Sequence, residues 1–234
     1  MPWYNYCMKI VFMILTLVMC TVAHDWTLVK ESEGIRVYTS SVTGSDFLAY
    51  KGETVVEASM ASIVAVLYDT PNCVSWLHEC SFGLDLEQIS FEENYIFEQY
   101  DLTFPVSDRG VILHSTLEWD AGYAIVRIEE KNDYCKQNSN PRCAKVRELD
   151  LISITRSRGA YTLTHIDEKR TSVVWQVHAE PGGKIPTWIV NMMVVDMPYY
   201  SLLNLVTIVK EPKYRDMTKE KLRVLWQAQY DKHH

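Results

Sequence analysis

Along most of this chain apolar and polar residues alternate with a period of two, the pattern of a β-strand that buries one face. Short alternating runs over residues 26–30 and 35–39 are split by the turn pair Glu33-Gly34, and residues 47–57 read as a third strand. Extended stretches then recur over 81–89, 95–104, 110–119, 123–132, 146–157, 160–167 and 172–179. Turn residues fall between them at short, even intervals, which predicts an antiparallel meander. One helix interrupts the strands early: Ser59 caps it, Ile63, Val64 and Leu67 share a face, and Pro71 stops the run after Tyr68.

The period changes after residue 180. Pro181-Gly182-Gly183 ends the last strand, and Ile185-Pro186 opens a helix with proline near the first turn, where its missing N–H does no harm. From Trp188 to Val209 the chain is apolar nearly all round. Trp188, Met192, Val195, Tyr199, Leu202 and Val206 form one stripe at helical spacing, while Val190, Val194 and Met197 fall outside it. A segment of this length raises a membrane span as the rival reading. Asn191, Asp196, Pro198 and Asn204 weigh against that rival, because polar groups are costly in hydrocarbon. A helix buried in a soluble core fits better. Beyond Lys210 the chain turns charged, and residues 218–230 read as a surface helix.

Composition narrows the classes further. A chain of 234 residues holds one well-cored domain plus a targeting segment, and 47% hydrophobic residues argue against disorder. A net charge of −7 leaves no basic footprint, so nucleic acid is not an expected partner. Lys9, an apolar run over 10–22 and the small residues Thr21-Val22-Ala23 read as a signal peptide cleaved after Ala23. Leu17-Val18-Met19-Cys20 offers a lipid anchor as an alternative, although Met19 fits a lipoprotein box poorly, and an uncleaved anchor is a third option. The organisation that follows is a signal over 1–23, one domain over 24–212 and a charged helical extension over 213–234.

Export changes how the cysteines read. Cys73, Cys80, Cys135 and Cys143 remain after cleavage and lie in two close pairs, which in an oxidising compartment usually bridge. A zinc site is the competing reading, but neither pair has metal-knuckle spacing and no histidine follows at a suitable interval. No nucleophile motif, phosphate loop or cofactor signature is present in the sequence.

The segment Trp175-Gln176-Val177-His178-Ala179-Glu180-Pro181-Gly182-Gly183-Lys184-Ile185-Pro186-Thr187-Trp188-Ile189-Val190-Asn191 resembles the last strand, turn and helix start of the START (StAR-related lipid transfer) domain. Trp76 after the first long helix, Phe104-Pro105-Val106-Ser107-Asp108-Arg109 between two central strands, and Gly159-Ala160-Tyr161 at a later strand start fit the same pattern. The resemblance spans residues 26–210. It departs at Gly110, where the family usually has an acidic residue, and at Ser115, where sterol-binding members tend to place a second buried arginine.

This resemblance implies an α+β helix-grip fold: a curved antiparallel sheet around a long C-terminal helix, with an internal cavity for one lipid. It implies a monomer that binds a phospholipid, sterol or similar lipid, makes transient membrane contact and needs no cofactor. The expected cavity residues are Arg109 as the polar group, Tyr161, Trp175 and Trp188 as aromatic walls, and Met192, Met193, Val195 and Tyr199 from the helix. Arg109 in a structural ion pair with Asp108 or another carboxylate, and the aromatics and methionines as plain core, are the competing readings. Two further functions stay open: a polyketide cyclase or aromatase of the same superfamily, and an interaction or sensor domain that lipid only stabilises. The cyclase reading needs acid or base groups inside the cavity, and the available histidines are His78, His114, His165 and His178.

Overall fold

The computed structural model describes residues 25–102 and 106–233. The expected signal segment over 1–23, with Cys20, lies outside the described residues, as do Phe104 and Pro105. Strands β1 (Thr27–Ser32), β2 (Ile35–Ser40) and β3 (Ala49–Val56) open the chain, followed by helix α1 (Met60–Leu67). A 3-10 turn over Thr70–Ser75 leads into β4 (Cys80–Ser90), β5 (Glu93–Tyr100), β6 (Arg109–Trp119) and β7 (Tyr123–Glu130). Helices α2 (Tyr134–Gln137) and α3 (Pro141–Glu148) come next, then the two-residue β8 (Ile152–Ser153), β9 (Arg156–Asp167) and β10 (Arg170–Glu180). The long helix α4 (Thr187–Ile208) and α5 (Lys219–His233) close the chain.

The sheet runs in the order β1-β2-β3-β10-β9-β7-β6-β5-β4, with β8 pairing in parallel beside β6. Helix α4 lies across one face against β2 and β3. This is the α+β helix-grip arrangement that the sequence implies.

Local chemistry explains why the elements start where they do. The Ser59 side chain accepts the Ser62 N–H and caps α1, whose residues Ile63 and Val64 are fully buried. At Gly52 on β3 a Cβ atom would sit 2.6 Å from Leu202 Cδ1 and 3.0 Å from Pro198 Cβ. Glycine is therefore what lets α4 approach the sheet so closely.

The polar residues of α4 bond within the protein. Asn191 Oδ1 accepts the Leu48 N–H at 3.1 Å, Asn204 Nδ2 donates to the Trp76 carbonyl at 3.1 Å, and Asp196 pairs with Lys30 at 3.6 Å. By length and composition alone α4 could cross a membrane. Its C-terminal half is instead core, with Leu202 and Leu205 fully buried.

The strand expected over 146–157 is not formed as such. Residues up to Glu148 belong to α3, because the Asn140 side chain accepts the Arg142 N–H, Pro141 occupies the first turn and Cys143 is bonded to Cys135. Extended structure resumes only at β8 and β9. The second disulfide joins Cys73 to Cys80 and ties the 3-10 turn to β4. Each bond closes a short loop, and by chain entropy alone each contributes about 2–3 kcal/mol.

The expected extension is α5. It docks on the body through Leu222, which is buried, Trp226 edge-on to Phe91 at 6.1 Å, and an Arg223–Glu92 ion pair at 2.9 Å.

Candidate ligand cavity

A cavity of about 180 Å³ opens between the N-terminal half of α4 and the sheet. That is room for roughly a dozen waters, far more than a packing defect. Helix α4 supplies Val190, Met193, Val194 and Met197 to its wall, at the spacing of a single helix face. Strand β10 supplies the alternating residues Trp175, Val177 and Ala179, and β6 supplies Val111 and Leu113. Leu102, Pro181, Ile185, His78 and Glu79 also belong to the lining.

Aromatic rings stiffen the wall. Trp175 stacks on Tyr161 with centroids 4.9 Å apart and planes 9° from parallel, and Tyr50 meets Trp175 edge-on at 5.2 Å. Trp76 packs edge-on against Tyr161 at 6.4 Å. The indole N–H groups of Trp76 and Trp175 are buried and find no acceptor among the described residues.

Of the expected cavity residues, Arg109, Trp175 and Met193 line the space. Tyr161 stands one layer behind, stacked on Trp175. Val195 and Tyr199 are not in the lining; Val195 packs against the core, and the Lys30 ammonium sits 3.6 Å over the Tyr199 ring. Trp188 is 68% exposed and also stands outside the lining. The Met192 side chain lies outside the described residues. The physical reason for the difference is that a helix apolar on all sides carries no period that chooses its inward face. Here the Asn191 bond to Leu48 and the Pro198 contact at Gly52 fix the rotation, and they turn the 190–193–194–197 face inward.

Arg109 is 2% exposed, and three of its five guanidinium N–H groups bond the backbone. Nε donates to the Pro181 carbonyl at 3.1 Å, Nη2 to Gly182 at 3.4 Å, and Nη1 to Ser107. Gly182 and Gly183 take positive φ in this turn, the conformation that glycine adopts without cost. Burial lowers the guanidinium pKa, and the Asp108 charge opposes that shift.

Glu98, Tyr100 and Glu79 were not singled out by sequence, and Asp196 only as a polar residue of the apolar helix. Glu98 on β5 lies directly opposite Val111, and Tyr100 opposite Arg109. Paired residues of an antiparallel ladder share a face, so Glu98 belongs to the cavity side. An acidic residue in phase with Ile96 and Tyr100 was the available signal. The Tyr100 hydroxyl donates to Glu98 Oε2 at 2.6 Å. Burial pushes the Glu98 carboxyl above the ordinary carboxylate range, with the Tyr100 bond pulling the other way. Burial, then the Glu98 charge, raises the Tyr50 hydroxyl.

Elsewhere in the lining, burial and then Asp196 raise the Glu79 carboxyl, while burial lowers His78 against the opposing effect of Asp196. His78 lies 3.9 Å from Glu79 and packs on the Tyr200 ring at 5.0 Å. His114 and His178 point to the opposite face of the sheet, where they meet Glu93 at 2.8 Å and Ser45 at 3.1 Å. His165 is exposed. Ser115 is buried opposite Asn94, whose Oδ1 finds no partner among the described residues. No group of three histidine, cysteine, aspartate or glutamate residues suited to a metal occurs among the described residues.

Comparisons with known proteins bear on this geometry. An uncharacterised protein of Pseudomonas aeruginosa is 33% identical over 184 residues, which cover 78% of this chain and 86% of that protein. Among solved structures, a STAR-related lipid transfer protein fragment from Xanthomonas axonopodis superposes with a TM-score of 0.69 at 30% identity, covering 80% of this chain and 99% of the fragment. Human StAR-related lipid transfer protein 5 has the same fold, with a TM-score of 0.66 at 13% identity over 79% of this chain and 86% of that one. The START domain family model matches residues 13–197. With a family match over most of its length and a helix closing an apolar cavity against an antiparallel sheet, the chain belongs to the START domain family.

Proposed function

We propose that this protein is an exported lipid-binding protein that holds one lipid in the cavity beneath α4 and carries or presents it as a monomer. The observation that carries this reading is the apolar pocket itself, walled by Met193, Val194, Val111, Leu113, Trp175 and Val177. At about 0.8 kcal/mol per buried methylene, each tail carbon that enters the pocket adds to binding before entropy costs. No catalytic group is needed to use it. Two disulfides and the N-terminal signal pattern support an oxidising compartment.

Membrane contact follows from the apolar rim. A net charge of −7 gives little overall attraction to anionic lipid, so docking rests on groups such as Trp188, which projects into solvent three residues after the cavity-lining Ile185. Indole rings favour the boundary between headgroups and acyl chains.

The test is to purify the protein, extract it with organic solvent and examine the extract by mass spectrometry. Transfer of labelled lipid between vesicles is measured in parallel. A stoichiometric lipid and catalysed transfer are expected. A protein that is empty and transfers nothing overturns the reading. Substituting Trp188 by serine is expected to slow transfer severalfold while leaving the bound lipid at equilibrium unchanged. Equal transfer rates would remove Trp188 from membrane docking.

A further inference from the structure

The face of the sheet turned away from α4 is also covered, and it holds a pocket of its own. There the helix pair α2–α3 closes over the sheet, and Leu86, Phe97 and Ile112 form a small separate core with Cys135 and Cys143. Phe97 and Ile112 alternate with the residues that face the cavity, so they point to the opposite side. The Cys135–Cys143 bond joins the two helices, and the Asn140 and Arg142 side chains tie them to the Leu86 and Asp85 carbonyls at 2.9 and 3.0 Å. Between the helices and the sheet lies a pocket of about 210 Å³, room for roughly a dozen water-sized atoms. No residue lines both this pocket and the cavity under α4.

The floor is apolar, built by Phe97, Ile112, Val146 and Leu151 around Gly110. A Cβ atom at Gly110 would sit 2.9 Å from Phe97 Cε2 and 3.3 Å from Leu151 Cδ1. This is the position at which the START resemblance departs from an acidic residue. A carboxylate side chain here would displace Phe97 and charge the floor; glycine leaves it neutral and open.

The charges sit on the helices and the segment after them. Lys136 and Arg147 line the pocket, and Asp150 is the one acidic residue among its described lining residues. No carboxylate lies within ion-pair distance of Lys136 or Arg147 among the described residues. Arg147 Nη1 donates to the Cys135 carbonyl at 2.6 Å, which anchors the guanidinium to α2. Its Nε and Nη2 groups have no partner among the described residues, and a guanidinium edge matches a carboxylate in geometry and charge.

We propose that this pocket is a second ligand site, separate from the lipid cavity, and that it takes a small anionic amphiphile: a carboxylate, held by Lys136 and Arg147, on an aliphatic body of about ten heavy atoms seated on the Gly110 floor. The apolar floor supplies burial for the body, and the two cations supply the sign of the head group. The lipid cavity differs in charge, since Glu79 and Asp196 belong to its lining.

The experiment is isothermal titration of the purified protein, with both disulfides formed, against octanoate, octanol and octylamine at neutral pH. The three probes share one aliphatic body and differ in head group. Octanoate is expected to bind roughly tenfold more tightly than either of the others, and added salt is expected to narrow the gap. Lys136→Glu, at an exposed position, is expected to weaken octanoate roughly tenfold with an unchanged circular dichroism spectrum. Ala179→Trp, which fills the cavity under α4, is expected to bind octanoate as wild type does.

Three results overturn the proposal. The first is octanol or octylamine binding as tightly as octanoate, or no octanoate binding at millimolar concentration. The second is an unchanged octanoate affinity in Lys136→Glu. The third is loss of octanoate binding in Ala179→Trp, which would put the probe in the lipid cavity. Should either variant fail to fold, the head-group order in wild type and a severalfold loss of octanoate affinity in Lys136→Gln decide the matter.

Discussion

Replacing Arg109 with methionine is expected to destabilise the protein by about 3–5 kcal/mol, since hydrogen bonds from a charged donor contribute more than neutral ones and the freed carbonyls are left without partners. Methionine keeps the length and apolar stem of the side chain, so the loss isolates the guanidinium. The carbonyls of Ser107, Pro181 and Gly182 belong to two segments more than 70 residues apart in sequence, the entry to β6 and the turn into α4. One planar group holds both. For a domain of this size the melting temperature is expected to fall by on the order of 10 °C. Arg109→Lys, whose compact ammonium has three donors but no planar fork, is expected to recover only part of the loss. Denaturant titration of the three proteins checks this, and an Arg109→Met midpoint matching wild type would show that the clamp carries little.

Placing tryptophan at Ala179 is expected to abolish lipid uptake while leaving the fold in place. Ala179 lines the cavity near the end of β10, on the face that also carries Trp175 and Val177. A bulky ring there occupies the space the lipid would need. Overpacking costs about 1–3 kcal/mol where a core is full, and less where the new atoms enter a void. Far-UV circular dichroism is expected to be unchanged, and lipid transfer from vesicles to fall to background. If the variant still loads lipid within twofold of wild type, the cargo lies elsewhere.

Much of the fold was readable in the chain, for identifiable reasons. The Pro181-Gly182-Gly183 break and the apolar run after Pro186 announced α4 to within a residue or two of Thr187–Ile208, because proline and glycine act locally and leave little choice. Both cysteine pairings were legible from proximity and export. The rotation of α4 was not, since its inward face is chosen by one hydrogen bond to Leu48 and one close approach at Gly52, both long-range. Helix α3 was hidden for a related reason: residues 146–149 are extended by pattern, and what overrides that pattern is a cap at Asn140 and a bond from Cys143.

The site shows the same division. Arg109 could be picked out as a polar residue at a strand junction, but its partners are backbone carbonyls, which no sequence pattern displays. Glu98 could have been found by parity, since it lies two residues from Ile96 and two from Tyr100 on the same strand. Its meaning depends on the curvature that brings Tyr50 toward it from a distant strand.

Pro198 divides α4 into two mechanical parts. A proline has no N–H to bond the carbonyl four residues back, here that of Val194, so the helix ladder is interrupted at that point. Behind the break, Leu202, Leu205 and Ile208 are anchored in the core. Ahead of it, the segment carrying Val190, Met193 and Val194 faces the cavity. The break thus falls at the border between the half of α4 that is anchored core and the half that is cavity wall, so a bend at Pro198 moves the wall and leaves the anchor in place.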